Sequence, residues 1–401
     1  MSMKIISVTD IEGFKLGNAE NREKGTGCTV IVCEEGAVGG VDVRGGGPAT
    51  RETDLLRSEN TVSSVNAVVL SGGSAFGLEA ASGVMRELAD RKIGFDVGDD
   101  IIVPIVCGAS LYDLAVADHS AFPDVGMGIQ AVRNAYEQDG FRNGNHGAGT
   151  GATVGKYLGY ERAMKTGLGT FACGDGFIEV GAISAVNAIG DVYNGPGNIV
   201  AGLRTEDGSS IFGTIKTLKG MVHDKTGFVD DSTTFIDRSD IEKAIRYPEE
   251  ENDGNGSEAP ETSGFPEAEA AENESAPQAA AEAEAAEPEK PELSVEELGY
   301  DIASNTTISC LITNAELTKP QANKLASILH DAYARAIKPV HGTLDGDTVF
   351  VLATGKQKVN FDAFAALATD VMQYAIIDGA MSARSDYGLP AARDMQKTGD
   401  Q

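Results

Sequence analysis

Between Glu249 and Glu297 the chain carries 17 acidic residues against one basic residue, Lys290, threaded with alanine and proline in text such as "PEAEAAENESAPQAAAEAEAAEPEKPE". A run with so little apolar surface has nothing to offset the entropy of ordering it. Any fold must therefore be assembled from two separated segments, 1–247 and 299–401, with 248–298 expected to be a disordered linker. The second segment opens on "GYDIASNTTISCLIT", an apolar, β-branched strand pattern that starts with two threonines where the acidic run stops. A long surface loop entering a strand would explain this. So would chemistry: a chain cut before Thr306 would present a hydroxyl and a free α-amine on one residue, a nucleophile joined to its own base.

The net charge of −29 is largely local, since outside that run there are 44 acidic and 31 basic residues. With no basic stripe to replace phosphate counterions, nucleic acid is not an expected partner. Five cysteines (Cys28, Cys33, Cys107, Cys173, Cys310) form no CxxC pair and the five histidines show no HExxH spacing, so a structural zinc site is not expected. Cysteines inside apolar runs such as "CTVIVC" read as small buried hydrophobes. No basic leader with a long apolar core opens the sequence, and no window approaches eighteen apolar residues. A reducing cytoplasm and no membrane partner are the expectation.

Hydrophobic content of 41%, 49 glycines and no tryptophan suit a sandwich of strands and helices packed at close range. "CTVIVC" and "AVVL" (67–70) read as strands and 74–90 as a helix with Phe76, Leu78, Ala81, Met85 and Leu88 on one face. A buried strand is expected to end at Gly108, and "IEVGAISAVNAIGDVYN" reads as a long apolar strand region closed by Gly190 and Asp191. In the second segment "TTISCLIT" and "TVFVLATG" are strands. Between them a helix from Thr318 to about Ile337 has Thr318 as N-cap, Gln321 as its capping-box partner and an apolar stripe through Leu325, Leu329 and Tyr333.

Single motifs decide little. "GGSAFG" (72–77) fails both the GxGxxG and GxSxG spacings and reads as a packing turn. "GAGTGATVGK" (147–156) resembles a phosphate-binding loop, but Thr150 stands where a glycine is needed and Tyr157 where Ser or Thr would ligate magnesium. What remains is a glycine-rich turn delivering Lys156, with a solvated surface lysine as the bland alternative. Asp345 and Asp347 flank a glycine ahead of a strand, which suits a turn or a carboxylate pair able to bind a hydroxyl or ammonium. Asn187, in an apolar strand pattern, either braces a neighbouring loop or aims its NH2 at a developing oxyanion.

Taken together, "GCTVIVCEEGAVGGVDVRGGGPATRETDLL", "NAVVLSGGSAFGLEAASGVMREL", "GAGTGATVGK", "VGAISAVNAIGDV" and "NTTISCLITNAELTKPQANKLA" through "HGTLDGDTVFVLATG" resemble the L-aminopeptidase/D-esterase family. These self-processing N-terminal-nucleophile hydrolases include β-aminopeptidases and nylon-oligomer (aminohexanoate) hydrolases. The resemblance spans nearly all of the chain outside the acidic run. It implies an α+β fold, a four-layer αββα sandwich of the aminopeptidase/ornithine-acetyltransferase type. It also implies one precursor cut between Asn305 and Thr306 into large and small parts that stay together.

In the threonine branch of that family the nucleophile falls on Thr306, the aspartates on Asp345 and Asp347, a lysine and an asparagine on Lys156 and Asn187, and a tyrosine on Tyr112. The reaction implied is hydrolysis of small peptides, amino-acid amides or esters in an aminopeptidase manner, with no metal or organic cofactor needed, by a homo-oligomer, a tetramer included. Aminohexanoate-oligomer hydrolysis, acyl transfer of the ornithine acetyltransferase type and a silent, unprocessed scaffold are the alternatives. The acidic insert is longer than the family pattern leads one to expect. It reads as a tolerated surface excursion, because a longer flexible loop adds closure entropy only slowly; shielding the site or slowing the cut are the alternatives.

Overall fold

The computed structural model describes residues 2–221 and 305–395. The expected linker 248–298, and the expected beginning of the small part at 299–304, lie outside the described residues. The strands that carry the core are β1 (Lys15–Asn21), β2 (Thr26–Val43), β3 (Val65–Ser71), β4 (Val106–Ser110), β5 (Leu168–Gly174), β6 (Glu179–Ala185), β7 (Ile308–Ala315) and β8 (Thr348–Gln357). Four helices cover them: α1 (Ala80–Asp90), α2 (Val125–Asn134), α3 (Lys319–Ala336) and α4 (Phe361–Met381).

At 18 residues, β2 is long enough to serve two sheets. Its first half pairs antiparallel with β1 and β3, and its second half pairs antiparallel with β8. Between them the register to β3 shifts from Val32 to Ala37, where Gly36 takes a φ of 77°. A bulge with a left-handed glycine bends a strand, and here it hands the chain from one sheet to the other. Beyond β3 the first sheet continues through β4 to a short edge strand at Ala49–Arg51; the second runs β8, β7, β6, β5 to an edge at Lys4–Ile5.

Side-chain alternation sorts the apolar residues into three layers. Ile308, Cys310 and Ile312 of β7, with Ile183 and Phe350, face Ile31, Val68, Leu70 and Cys107 of the first sheet. Leu311, Val349 and Val351 point the other way, onto Leu325 and Leu329 of α3 and Val371 and Ile376 of α4. Val30 and Val69 pack against Val84 and Leu88 of α1 and Val132 of α2. The order is helices, sheet, sheet, helices, the αββα sandwich expected from the resemblance.

The local expectations need three corrections. The helix read from 74 to 90 is α-helical only from Ala80, because Ser74–Glu79 tightens into 3-10 turns after two residues of positive φ, Gly73 (80°) and Ser74 (56°). The strand expected to stop at Gly108 continues to Ser110, paired in parallel with Ser71. The long strand region at 178–194 is two strands, β6 and Asp191–Tyr193, separated by an irregular stretch, so Asn187 lies just past a strand end rather than within one. α3 begins as read: Thr318 accepts from the Gln321 N–H while the Gln321 side chain accepts from the Thr318 N–H at 2.9 Å. All five cysteines are buried and free, and no helix among the described residues is long and apolar enough to cross a membrane.

Phe350 is fully buried between the sheets on the strand beside β7. Phe350→Ala is expected to cost about 3–5 kcal/mol, read as a lowered denaturant midpoint; a loss below about 1 kcal/mol would contradict the inter-sheet core described.

Candidate active site

Two parallel strands set the site. β7 and β8 pair with Ile308 opposite Thr348, and the pairing continues backwards past both strand ends to a bridge between Asn305 and Asp345. The residues preceding β7 therefore lie alongside the "DGD" turn preceding β8. Asn305 N donates to Leu344 O at 3.1 Å, Gly346 N to Asn305 O at 2.8 Å and Thr348 N to Thr307 O at 3.1 Å. Asn305, Thr306, Asp345 and Asp347 are all buried.

The turn is clamped from outside by "RGGG", residues 44–47, which leave the far end of β2. Arg44 N donates to Asp347 O at 3.0 Å, Gly46 N to Gly342 O at 3.2 Å and Gly47 N to Asp345 O at 2.8 Å. A side chain on Gly45 would begin 2.1 Å from Asp345 O, so the approach needs a residue without Cβ.

At the Asn305–Thr306 peptide, the Thr306 hydroxyl donates to Asn305 O, the carbonyl oxygen of the bond just before it. The same oxygen receives the Gly346 N–H. Thr306 N donates to Asn187 O at 3.0 Å, and Lys156 Nζ donates to that same carbonyl at 2.9 Å and to Asn187 Oδ1 at 2.8 Å. One backbone oxygen thus holds both the Thr306 nitrogen and the lysine head. The Asn187 amide is engaged at both ends, its Oδ1 also accepting from Thr153 N at 3.0 Å and its Nδ2 donating to Tyr112 O at 2.9 Å. Tyr112 joins the cluster through its carbonyl.

Lys156 is no surface residue. It is buried behind the short strand Thr153–Val154, and Gly155 (φ 70°) presses against the backbone of Gly202 and Leu203. Burial pushes its ammonium down to about 7, opposed by the nearby charges of Asp345 and Asp113. Burial, with the neighbouring Asp347, pushes the Asp345 carboxyl up to about 7, against the Gly342 N–H that donates to it at 2.7 Å and the charge of Lys156. Asp347 is held differently: Thr307 N donates to its Oδ1 at 2.8 Å, and His341 N and Nδ1 reach its Oδ2 at 3.1 and 2.9 Å.

All seven residues singled out from the sequence, Asn305, Thr306, Asp345, Asp347, Lys156, Asn187 and Tyr112, meet in this one cluster. Sequence reading passed over Gly346, whose N–H lies on the Asn305 carbonyl, and His341. Gly346 sits inside the quoted "DGD" and is the detectable omission. His341 became visible only once the turn folded it back onto Asp347. Asp113, also unforeseen, accepts from Gly73 N and Thr26 Oγ1, and burial raises its carboxyl to about 6.

Residues 7–390 match the profile of peptidase family S58. An uncharacterized aminopeptidase of Mycobacterium tuberculosis is 31% identical over 97% of both chains. A 6-aminohexanoate-oligomer endohydrolase of a Kocuria species is 25% identical, over 92% of this chain and 85% of its own. Among solved structures, the L-aminopeptidase D-Ala-esterase/amidase of Ochrobactrum anthropi, described as a prototype for the serine aminopeptidases and a variant of the Ntn hydrolase fold, superposes with a TM-score of 0.57 at 17% identity. That match covers 98% of this chain and 92% of the other. A β-aminopeptidase of a Burkholderia species gives 0.55 at 15% identity, over 98% and 94%. With a profile match over nearly its whole length and a 31% identical aminopeptidase-named relative, this chain belongs to peptidase family S58.

Proposed function

We propose that this peptide and amide hydrolase cuts its own chain between Asn305 and Thr306 and then uses the exposed amino-terminal Thr306 as nucleophile and base. The observation that carries this reading is the Thr306 hydroxyl against the carbonyl oxygen of Asn305, with the Gly346 N–H on the same atom. In the first reaction the hydroxyl oxygen attacks the Asn305 carbonyl carbon, and the proton it gives up balances the one that the departing Thr306 nitrogen takes. The Gly346 N–H stabilises the charge that grows on the carbonyl oxygen. The carbon–nitrogen bond then breaks, the nitrogen takes a proton as the new α-amine, and water hydrolyses the remaining ester. Chains of 305 and 96 residues result.

In the mature site the α-amine, with a reference pKa of about 8, takes the hydroxyl proton as Thr306 attacks a substrate carbonyl. In its protonated form Lys156 favours the unprotonated amine, since both nitrogens share the Asn187 carbonyl. Asp347 holds the threonine end through the Thr307 N–H, the Asp345 carboxyl accepts from Gly342 N beside it, and Asn187 holds Lys156 and the Tyr112 backbone. Substrates are small peptides or amino-acid amides and esters, cut after the amino-terminal residue. The 25% identical relatives named for aminohexanoate oligomers motivate a second substrate class, linear polyamide oligomers.

Native protein on a denaturing gel is expected to run as two chains, the smaller beginning "TTISCLIT", with Thr306→Ala remaining whole. A single intact active chain, or a light chain with any other start, would sink the proposal. On the cut protein, amino-acid p-nitroanilides should outpace aminohexanoate oligomers; the reverse order transfers the assignment to polyamide hydrolysis.

A Cβ on Gly346 would sit 2.7 Å from the Thr306 hydroxyl. Gly346→Ala is therefore expected to slow self-cleavage by on the order of 100-fold or more, measured as the disappearance of full-length chain with time. Cleavage at the wild-type rate would remove this turn from the reaction.

Stability reports on Asp345 independently. Its folded-state pKa lies above the unfolded value, so its cost to the fold is absent below about pH 4, grows as pH rises, and is complete above about pH 7. In an uncleavable Thr306→Ala background, Asp345→Asn should raise Tm more near pH 7 than near pH 4. A gain that is equal at both pH values would contradict the buried, raised carboxyl.

A further inference from the structure

We propose that His341 is a positioning residue: it fixes the rotamer of the Asp347 carboxylate and, through it, the reacting end of β7. The inference deepens the reading of the preceding subsection and rests on it.

Asp347 Oδ1 is tied to the backbone N–H of Thr307, the residue next to the nucleophile. Its other oxygen takes both its donors from His341, the backbone N–H at 3.1 Å and the ring Nδ1 at 2.9 Å. A carboxylate anchored at one oxygen alone can still turn about its Cα–Cβ and Cβ–Cγ bonds. Two donors from one residue on the second oxygen remove that freedom. Since the oxygen accepts, Nδ1 carries the proton.

The imidazole has little else to do. Its Nε2 is buried with no hydrogen-bond partner among the described residues. Two α3 side chains pack against it, the His330 ring at 4.6 Å edge-on and the Tyr333 ring at 5.9 Å, nearly parallel. Tyr333 is in turn fixed to the strands of the site, its hydroxyl 2.6 Å from Ser309 Oγ and 3.3 Å from the carbonyls of both Thr307 and Thr348. The box that holds the imidazole is thus anchored on the same two strands whose ends carry Thr306 and Asp347.

The backbone points the same way. His341 has a φ of 58°, the left-handed region that glycine or asparagine enters at less cost. A turn that needed only this conformation would be served better by a glycine. The side chain is what the position retains.

Two variants separate positioning from packing. Asn places an amide N–H where Nδ1 stands and is at ease at positive φ; Gln, of the same polarity, places its N–H where Nε2 stands. His341→Asn is expected to self-cleave and turn over within about threefold of wild type. His341→Gln should be slower in self-cleavage and in kcat by on the order of tenfold or more, with KM little changed, because misplacement by about an ångström suffices for such losses. Equal rates for the two variants, or a Gln variant as fast as wild type, would overturn the inference. NMR of 15N-histidine-labelled wild type gives a reading that needs no variant to fold: an Nδ1–H tautomer at His341 is expected, and an Nε2–H tautomer overturns it. Wild type and Thr306→Ala run alongside. An uncut wild type sinks the self-processing reading and this inference together, whereas a cut wild type with an unaffected Gln variant sinks this inference alone.

Discussion

The parallel register between β7 and β8 is the constraint on which everything else rests. With Ile308 opposite Thr348, the chain three residues upstream of each lands Asn305 beside Asp345 and puts the Gly346 N–H on the Asn305 carbonyl. A slip of one residue would exchange Leu311 with Ile308, Cys310 and Ile312 between the two core layers, reversing every side chain on the strand. It would also put a different carbonyl on Gly346. Because β7 is buried on both faces and paired on both edges, the same packing that stabilises the sandwich selects which peptide bond meets the donor.

The register delivers polar groups to a place where charge is costly. Lys156 and Asp345 are buried, and desolvation drives both toward their neutral forms near neutral pH. The expense falls on stability, as is usual where ionisable groups are concentrated for chemistry. Glycines at 45, 46, 155 and 346 complete the arrangement, each standing where a Cβ would crowd its neighbour.

Much of this could be read before the fold was known, for definable reasons. Apolar, β-branched runs such as "TTISCLIT" and the capping box at Thr318 are local signals, and both appear where the chain was read. Asn187 was misplaced because "AVNA" continues the apolar pattern of β6 while the hydrogen bonding stops at Ala185; composition does not register that interruption. The first turns after Gly73 escaped for a similar reason, since positive φ at Ser74 is a backbone property the periodicity of 74–90 does not carry. α4, apolar along most of its 21 residues, offered no polar stripe to mark it out as a helix. Asp345 and Asp347 were visible as a pair, but their different neighbours, Gly342 for one and Thr307 with His341 for the other, exist only across the folded turn.

The place of β7 in the sheet has a consequence for assembly. A polypeptide starting at Thr306 would open on a strand whose two edges belong to β6 and β8, and β6 comes from the other side of any cut. Neither portion could complete the sheet without the other, whereas a continuous parent chain supplies both neighbours of β7 at once. Severing it afterwards would leave two molecules interleaved through a shared core, separable only by denaturation, and re-forming them from isolated halves would be a bimolecular problem that the intact precursor never meets.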